Sequence, residues 1–163
     1  MLLVTTALEK TWGQTQQILF LGGWCKLYAR KPIWQARSHE TLDYNWDDKE
    51  LLRSDSAWLD KVYEQLLAEL ADALNKVHGT SHTDKYWRVL VGPWLGFFIQ
   101  IAFQRWSSID NATRTFPVSE TILVTNKVFY LVPNDILEFV GLFSGDEWNH
   151  YICGRIIQFQ NKL

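Results

Sequence analysis

From position 89 to 103 the chain carries no charged residue, and Gln100 is the only polar side chain. Trp87, Trp94 and Ile101 recur every seven residues, with Leu90, Phe97 and Phe98 between them. That spacing predicts a helix over residues 86–106. The apolar run falls short of the roughly 20 residues a bilayer span needs. A helix apolar on every face is therefore expected to be the buried helix of a folded domain. Pro93 follows Gly92 and has no N–H to donate, so the helix is expected to kink there. The alternative is a strand over 87–91, with Pro93 as the first residue of a shorter helix.

Upstream, Leu51, Trp58, Leu59, Val62, Tyr63, Leu66, Leu67, Leu70, Leu74 and Val77 trace one helical stripe through residues 45–78. Asn45 is the expected cap, with Asp47 and Asp48 complementing the positive end. Ser54-Asp55-Ser56 offers a break into two helices, and His78-Gly79 provides the stop. The short polar link over residues 79–83 predicts an antiparallel helix hairpin.

Elsewhere the period changes. Residues 2–7 and 17–21 are apolar at consecutive positions, as in strands covered on both faces of a parallel sheet. Residues 121–124 and 128–132 are β-prone. Pro133-Asn134-Asp135 opens a helix to about Phe143, and Gly145-Asp146 begins another carrying Trp148, Ile152 and Ile156. The class predicted is α/β.

The second strand runs into Gly22-Gly23-Trp24-Cys25-Lys26. A strand, a glycine pair and then a helix can aim backbone N–H groups at an anion, with Lys26, Arg30 and Lys31 adding charge. The stretch lacks the full dinucleotide or P-loop spacing, and a plain tight turn is the competing reading. His78 and His82 stand four apart, but Gly79 ends the helix between them, so no metal site is predicted. No cofactor is predicted either.

Composition narrows the function classes. At 163 residues the chain is expected to form one domain, burying about 70% of its unfolded surface. Charged residues make up 21% and the net charge is −2, so no basic field points to nucleic acid. Nine tryptophans suit either a thick aromatic core or a sugar-stacking surface. The core is expected to take about two thirds of them. Cys25 and Cys153 lack metal-ligand spacing and suit a reducing compartment. The N-terminus has no basic segment, and Glu9-Lys10 closes its apolar run, unlike a signal peptide. A cytoplasmic protein is expected.

Four blocks carry a resemblance: residues 3–13 (LVTTALEKTWG), 19–28 (LFLGGWCKLY), 86–94 (YWRVLVGPW) and 146–151 (DEWNHY). They resemble a family of transferases found in bacterial O-antigen and surface-polysaccharide clusters. Members extend over several hundred residues. By that resemblance, residues 1–163 are a single helix-rich N-terminal α/β domain, truncated relative to the family and inactive alone. The implied architecture is a Rossmann-like N-terminal half with a prominent long-helix hairpin, within a two-domain, glycosyltransferase-B-like enzyme.

The resemblance and the residues leave two functions open. In the first, the chain is half of a glycosyl or related transferase acting on a nucleotide-sugar or other phosphorylated donor and a glycan acceptor. Thr5 and Thr6 would hydrogen-bond sugar hydroxyls, the Gly22-Gly23 turn and Lys26 would meet the donor phosphate, Trp24 would join them in binding substrate, and Glu9 would act as a base. For Glu9 and Lys10, a solvated pair at a helix start is the competing reading. In the second, the chain is a non-catalytic helical module that exposes an aromatic patch to a partner chain. The expected partners include a second copy or the missing C-terminal half, with peripheral contact to membrane-bound assembly machinery.

Overall fold

The computed structural model describes residues 1–14, 17–124 and 131–160. These fall into two compact units, one built from residues 1–44 and 104–163, the other from 45–103.

The first unit holds a four-stranded sheet: β1 (Leu2–Val4), β2 (Ile18–Phe20), β3 (His39–Thr41) and β4 (Glu120–Thr121). Their order is β3-β2-β1-β4, and every pairing is parallel. Leu2, Leu3 and Val4 lie opposite Ile18, Leu19 and Phe20, and all six are buried. Consecutive apolar residues are what a parallel strand covered on both faces requires. Ile109 and Ala112 of α3 (Asp84–Thr115) join the same core, as do Cys153 and Ile157 of α5 (Asp146–Gln160). The first unit is thus α/β, a four-stranded parallel sheet with helices packed against it.

β3 was not legible in the sequence, because His39-Glu40-Thr41 has no apolar run. β4 arrives slightly earlier than residues 121–124. The β-prone stretch 128–132 lies for the most part outside the described residues. A short helix α1 (Lys31–Gln35) connects β2 towards β3. Asp135 caps α4 (Ile136–Phe143) by accepting the Glu138 N–H at 2.8 Å, as the Pro-Asn-Asp opening predicts.

The second unit is a helix hairpin of α2 (Lys49–His78) and residues 84–103 of α3. The cap of α2 is Asp48, not Asn45: its carboxylate accepts the N–H groups of Glu50 and Leu51 at 2.9 and 3.2 Å. Asn45 instead heads a 3₁₀ turn, Asn45–Asp47. Ser54-Asp55-Ser56 does not break α2. Ser54 Oγ donates to the Leu51 carbonyl within the helix, and Asp55 accepts the Trp46 indole N–H at 2.9 Å. Gly79 closes α2 at φ 63°, the left-handed cap glycine tolerates.

Residues 86–91 are helical, and α3 continues through Pro93. The expectation that this helix is buried all round does not hold. Leu95 and Ile99 pack with Leu59 and Leu67, yet Val89 is 71% exposed and Leu90 56%. Two helices alone offer each other one face, and the other apolar positions stay open. At 32 residues α3 is long and apolar enough to cross a membrane by length and composition, as core helices of soluble proteins also are. The tryptophans show the same pattern. Trp12, Trp87 and Trp148 are buried, and the other six are half-buried or exposed, so the core takes fewer than expected.

Candidate functional site

The parallel strands share one carboxyl end, and the residues just beyond them build the site. In an open α/β sheet, ligands gather outside the carboxyl ends of the strands where the order reverses. Here β1 is flanked by β2 on one side and β4 on the other, so the reversal lies between β1 and β4.

Thr5 and Thr6 leave β1 at this point and are 2% and 0% exposed. Thr5 Oγ1 lies 3.2 Å from Nδ1 of His150. His150 Nε2 accepts the Val124 backbone N–H at 3.0 Å, just beyond β4. A ring nitrogen that accepts cannot carry the proton, so the proton sits on Nδ1 and His150 donates to Thr5. Burial, with the charge of Lys10 adding to it, lowers the imidazole pKa and keeps the ring neutral. Two positions after Thr5, the Ala7 N–H donates to Asp146 Oδ1 at 3.0 Å. Asp146 and His150 thus clamp the ends of β1 and β4 from the first turns of α5. The Thr6 hydroxyl is buried beside them with no protein hydrogen-bond partner among the described residues.

Trp24 lies beyond β2, and its indole N–H donates to the Thr5 carbonyl at 3.0 Å. The Arg105 guanidinium lies 5.6 Å over the same ring. Gly22 is required next to it: a Cβ there would stand 2.2 Å from the Trp24 ring. Gly23 has open space where a Cβ would go. The helix expected after the glycine pair is only a 3₁₀ turn, Gly23–Cys25, preceded by extended backbone at Gly22. Three residues align too few peptide dipoles to make a helix N-terminus.

Lys26 caps that turn and donates to Thr41 Oγ1 at 2.7 Å, at the end of β3, with Trp34 beneath its ammonium at 5.4 Å. Glu9 sits on the 3₁₀ turn Glu9–Thr11 and pairs through both oxygens with Arg30, at 2.5 and 2.7 Å. The guanidinium holds the Glu9 carboxyl below its usual range, which weakens it as a proton acceptor. The structure therefore joins Thr5, Thr6, Gly22 and Trp24 at one strand end, and ties Lys26 and Glu9 to other partners. Cys25 and Cys153 are buried and free, and burial pushes both thiols up to about 12. Neither is a nucleophile at neutral pH. His78 and His82 pack against Trp87, and His82 also stacks on Tyr86 at 3.9 Å.

Arg105, Asp146, Asn149 and His150 were not legible as site residues in the sequence. The signal was present in residues 146–151, where Asp146, Asn149 and His150 have the i, i+3, i+4 spacing of one helix face.

The whole chain, residues 1–163, matches a family model described as LIC12162 family transferase. No curated protein and no solved structure matches it.

Proposed function

Because the chain belongs to the LIC12162 family of transferases, we propose that it serves glycosyl or related group transfer in bacterial surface-polysaccharide and O-antigen synthesis. The donor is a nucleotide sugar or another phosphorylated sugar, and the acceptor is a glycan. One observation carries this reading: the parallel 3-2-1-4 sheet reverses between β1 and β4, and Thr5, Thr6, Asp146 and His150 collect there. Hydroxyls held at a buried strand end suit sugar recognition, since a site built to hydrogen-bond rejects ligands that leave it unpaired. Two buried free thiols accord with a cytoplasmic setting. Saturation-transfer NMR with UDP-, GDP- and CMP-sugars tests the reading. Binding of one class, displaced by its free nucleotide, is expected. Silence from all three at millimolar concentration would sink it.

A second reading rests on the hairpin. Leu66, Leu70, Trp94, Leu95, Phe98 and Ile99 line an apolar groove of about 490 Å³, and Phe97 nearby is 49% exposed. Such a face suits a partner chain or a second copy. Sedimentation velocity across micromolar concentrations checks it: association reversed by Phe98→Glu supports pairing, and a monomer throughout refutes self-association.

A further inference from the structure

We propose that Arg105 is an oxyanion-binding residue at this strand end, taking a phosphate or diphosphate group, with Trp24 as its platform. The ligand class rests on the phosphorylated-donor reading above; the geometry of the cation does not. Nε and one terminal nitrogen of Arg105 donate to Asn149 Oδ1 at 3.0 and 2.9 Å. The other terminal nitrogen donates to Gln104 Oε1. Both acceptors are neutral amides whose orientation is fixed from behind. Asn149 Nδ2 donates to the carbonyls of Phe143 and Gly145 at 2.7 and 2.8 Å. Gln104, 2% exposed, donates through Nε2 to Ser108 Oγ at 2.8 Å.

These three bonds leave one N–H on each terminal nitrogen without a protein acceptor among the described residues. No described carboxylate forms an ion pair with Arg105. A half-buried guanidinium is costly when its charge is not compensated. Here it is held over an indole, aimed by two amides, and left un-neutralised. Planar guanidinium with spare donors is suited to phosphate oxygens. The indole beneath it is bonded to the Thr5 carbonyl, so the cation stands at the same strand end as the buried, unpartnered Thr6 hydroxyl. This places anion recognition on α3, not on the Gly22-Gly23 turn and Lys26.

Isothermal titration with inorganic pyrophosphate tests the assignment on the intact chain. The wild type is expected to bind, and Arg105→Gln to bind at least about tenfold more weakly, the loss of a charged hydrogen bond. Gln104→Glu is nearly isosteric and keeps a partner for Ser108, but it neutralises Arg105 in place. It is expected to fold normally, by circular dichroism and thermal melting, and to lose affinity equally. Lys61→Ala, on the hairpin, should bind as the wild type does. The proposal is overturned if the wild type ignores pyrophosphate at millimolar concentration, or if a folded Arg105→Gln binds unchanged. It is equally overturned if Lys26→Ala alone weakens binding. Should Arg105→Gln not fold, Gln104→Glu decides. Pyrophosphate bound through Arg105 with no nucleotide sugar bound would sink only the glycosyl reading. Nucleotide-sugar binding indifferent to Arg105 would sink only this one.

Discussion

His150 and Thr5, 145 positions apart in sequence, meet at 3.2 Å through Nδ1 and Oγ1. With Nε2 occupied by the Val124 N–H, the imidazole ties the end of β1 to the segment after β4. Only the neutral ring can do this, because a protonated ring has no acceptor for Val124.

The first prediction concerns pH. Burial lowers the folded-state pKa of His150 below its ordinary 6.5. The unfolded chain then takes up a proton before the folded one does. Stability from this group is complete above about pH 6.5 and declines as pH falls from there towards the lowered value. Urea melts between pH 7.5 and 5.5 should show the decline, and His150→Gln should reduce it. Equal slopes in the two proteins would exclude His150 as the source.

Gly22 and Gly23 should part company on substitution. A Cβ at Gly22 meets the Trp24 ring, so Gly22→Ala must push the indole off the Thr5 carbonyl and away from Arg105. The expected cost is about 1–3 kcal/mol, as for other overpacked sites. Gly23→Ala enters open space and should fall within about 0.5 kcal/mol of wild type. Denaturant melts of the two variants settle the matter, and equal losses would contradict the structure.

In the hairpin, size and cost should be inverted. Leu67 is 1% exposed, while Trp94 is only half-buried. Leu67→Ala is expected to cost about 2–5 kcal/mol and Trp94→Ala less, although tryptophan loses more atoms. A larger loss at Trp94 would mean that the hairpin's open face is covered in solution.

These contrasts show what the sequence could and could not tell. Helix hairpin, buried β1 and β2, and the starts of α4 and α5 were legible, because periodicity and capping residues act locally. The exposure of α3 was not, since an apolar run states what a residue tolerates and not how many neighbours surround it. Nor was the site. Thr5, Thr6 and Trp24 could be placed at strand ends, but His150 and Arg105 reach them only through the packing of α5 and α3, a non-local fact. The ion pair that occupies Glu9 is invisible for the same reason.

Asn75 should matter more than its place near a helix end suggests. Its Oδ1 accepts from Thr80 Oγ1, the His82 N–H and the Trp87 indole, and its Nδ2 donates to the His82 carbonyl. One amide therefore organises the whole turn between α2 and α3. Asn75→Ala leaves the buried Trp87 indole N–H unpaired, at an expected cost of about 1–3 kcal/mol. Asn75→Asp keeps the acceptor and should recover much of the loss, as read from thermal melts.

Thr6 carries the last prediction. Its hydroxyl is wholly buried at the carboxyl end of β1 and has no protein partner among the described residues, a state that costs about 1–3 kcal/mol relative to a satisfied group. Valine has the same shape without the hydroxyl. If Thr6 is only a core residue, Thr6→Val raises the melting temperature and changes nothing else. If the hydroxyl is kept for a ligand, the same variant is more stable and binds its nucleotide sugar more weakly, the trade expected where a site is retained at the expense of stability. Differential scanning calorimetry and the NMR titration, run on one preparation, separate the outcomes. A more stable protein with unchanged sugar binding would remove Thr6 from the site, and a less stable one would show that its hydroxyl is satisfied in solution.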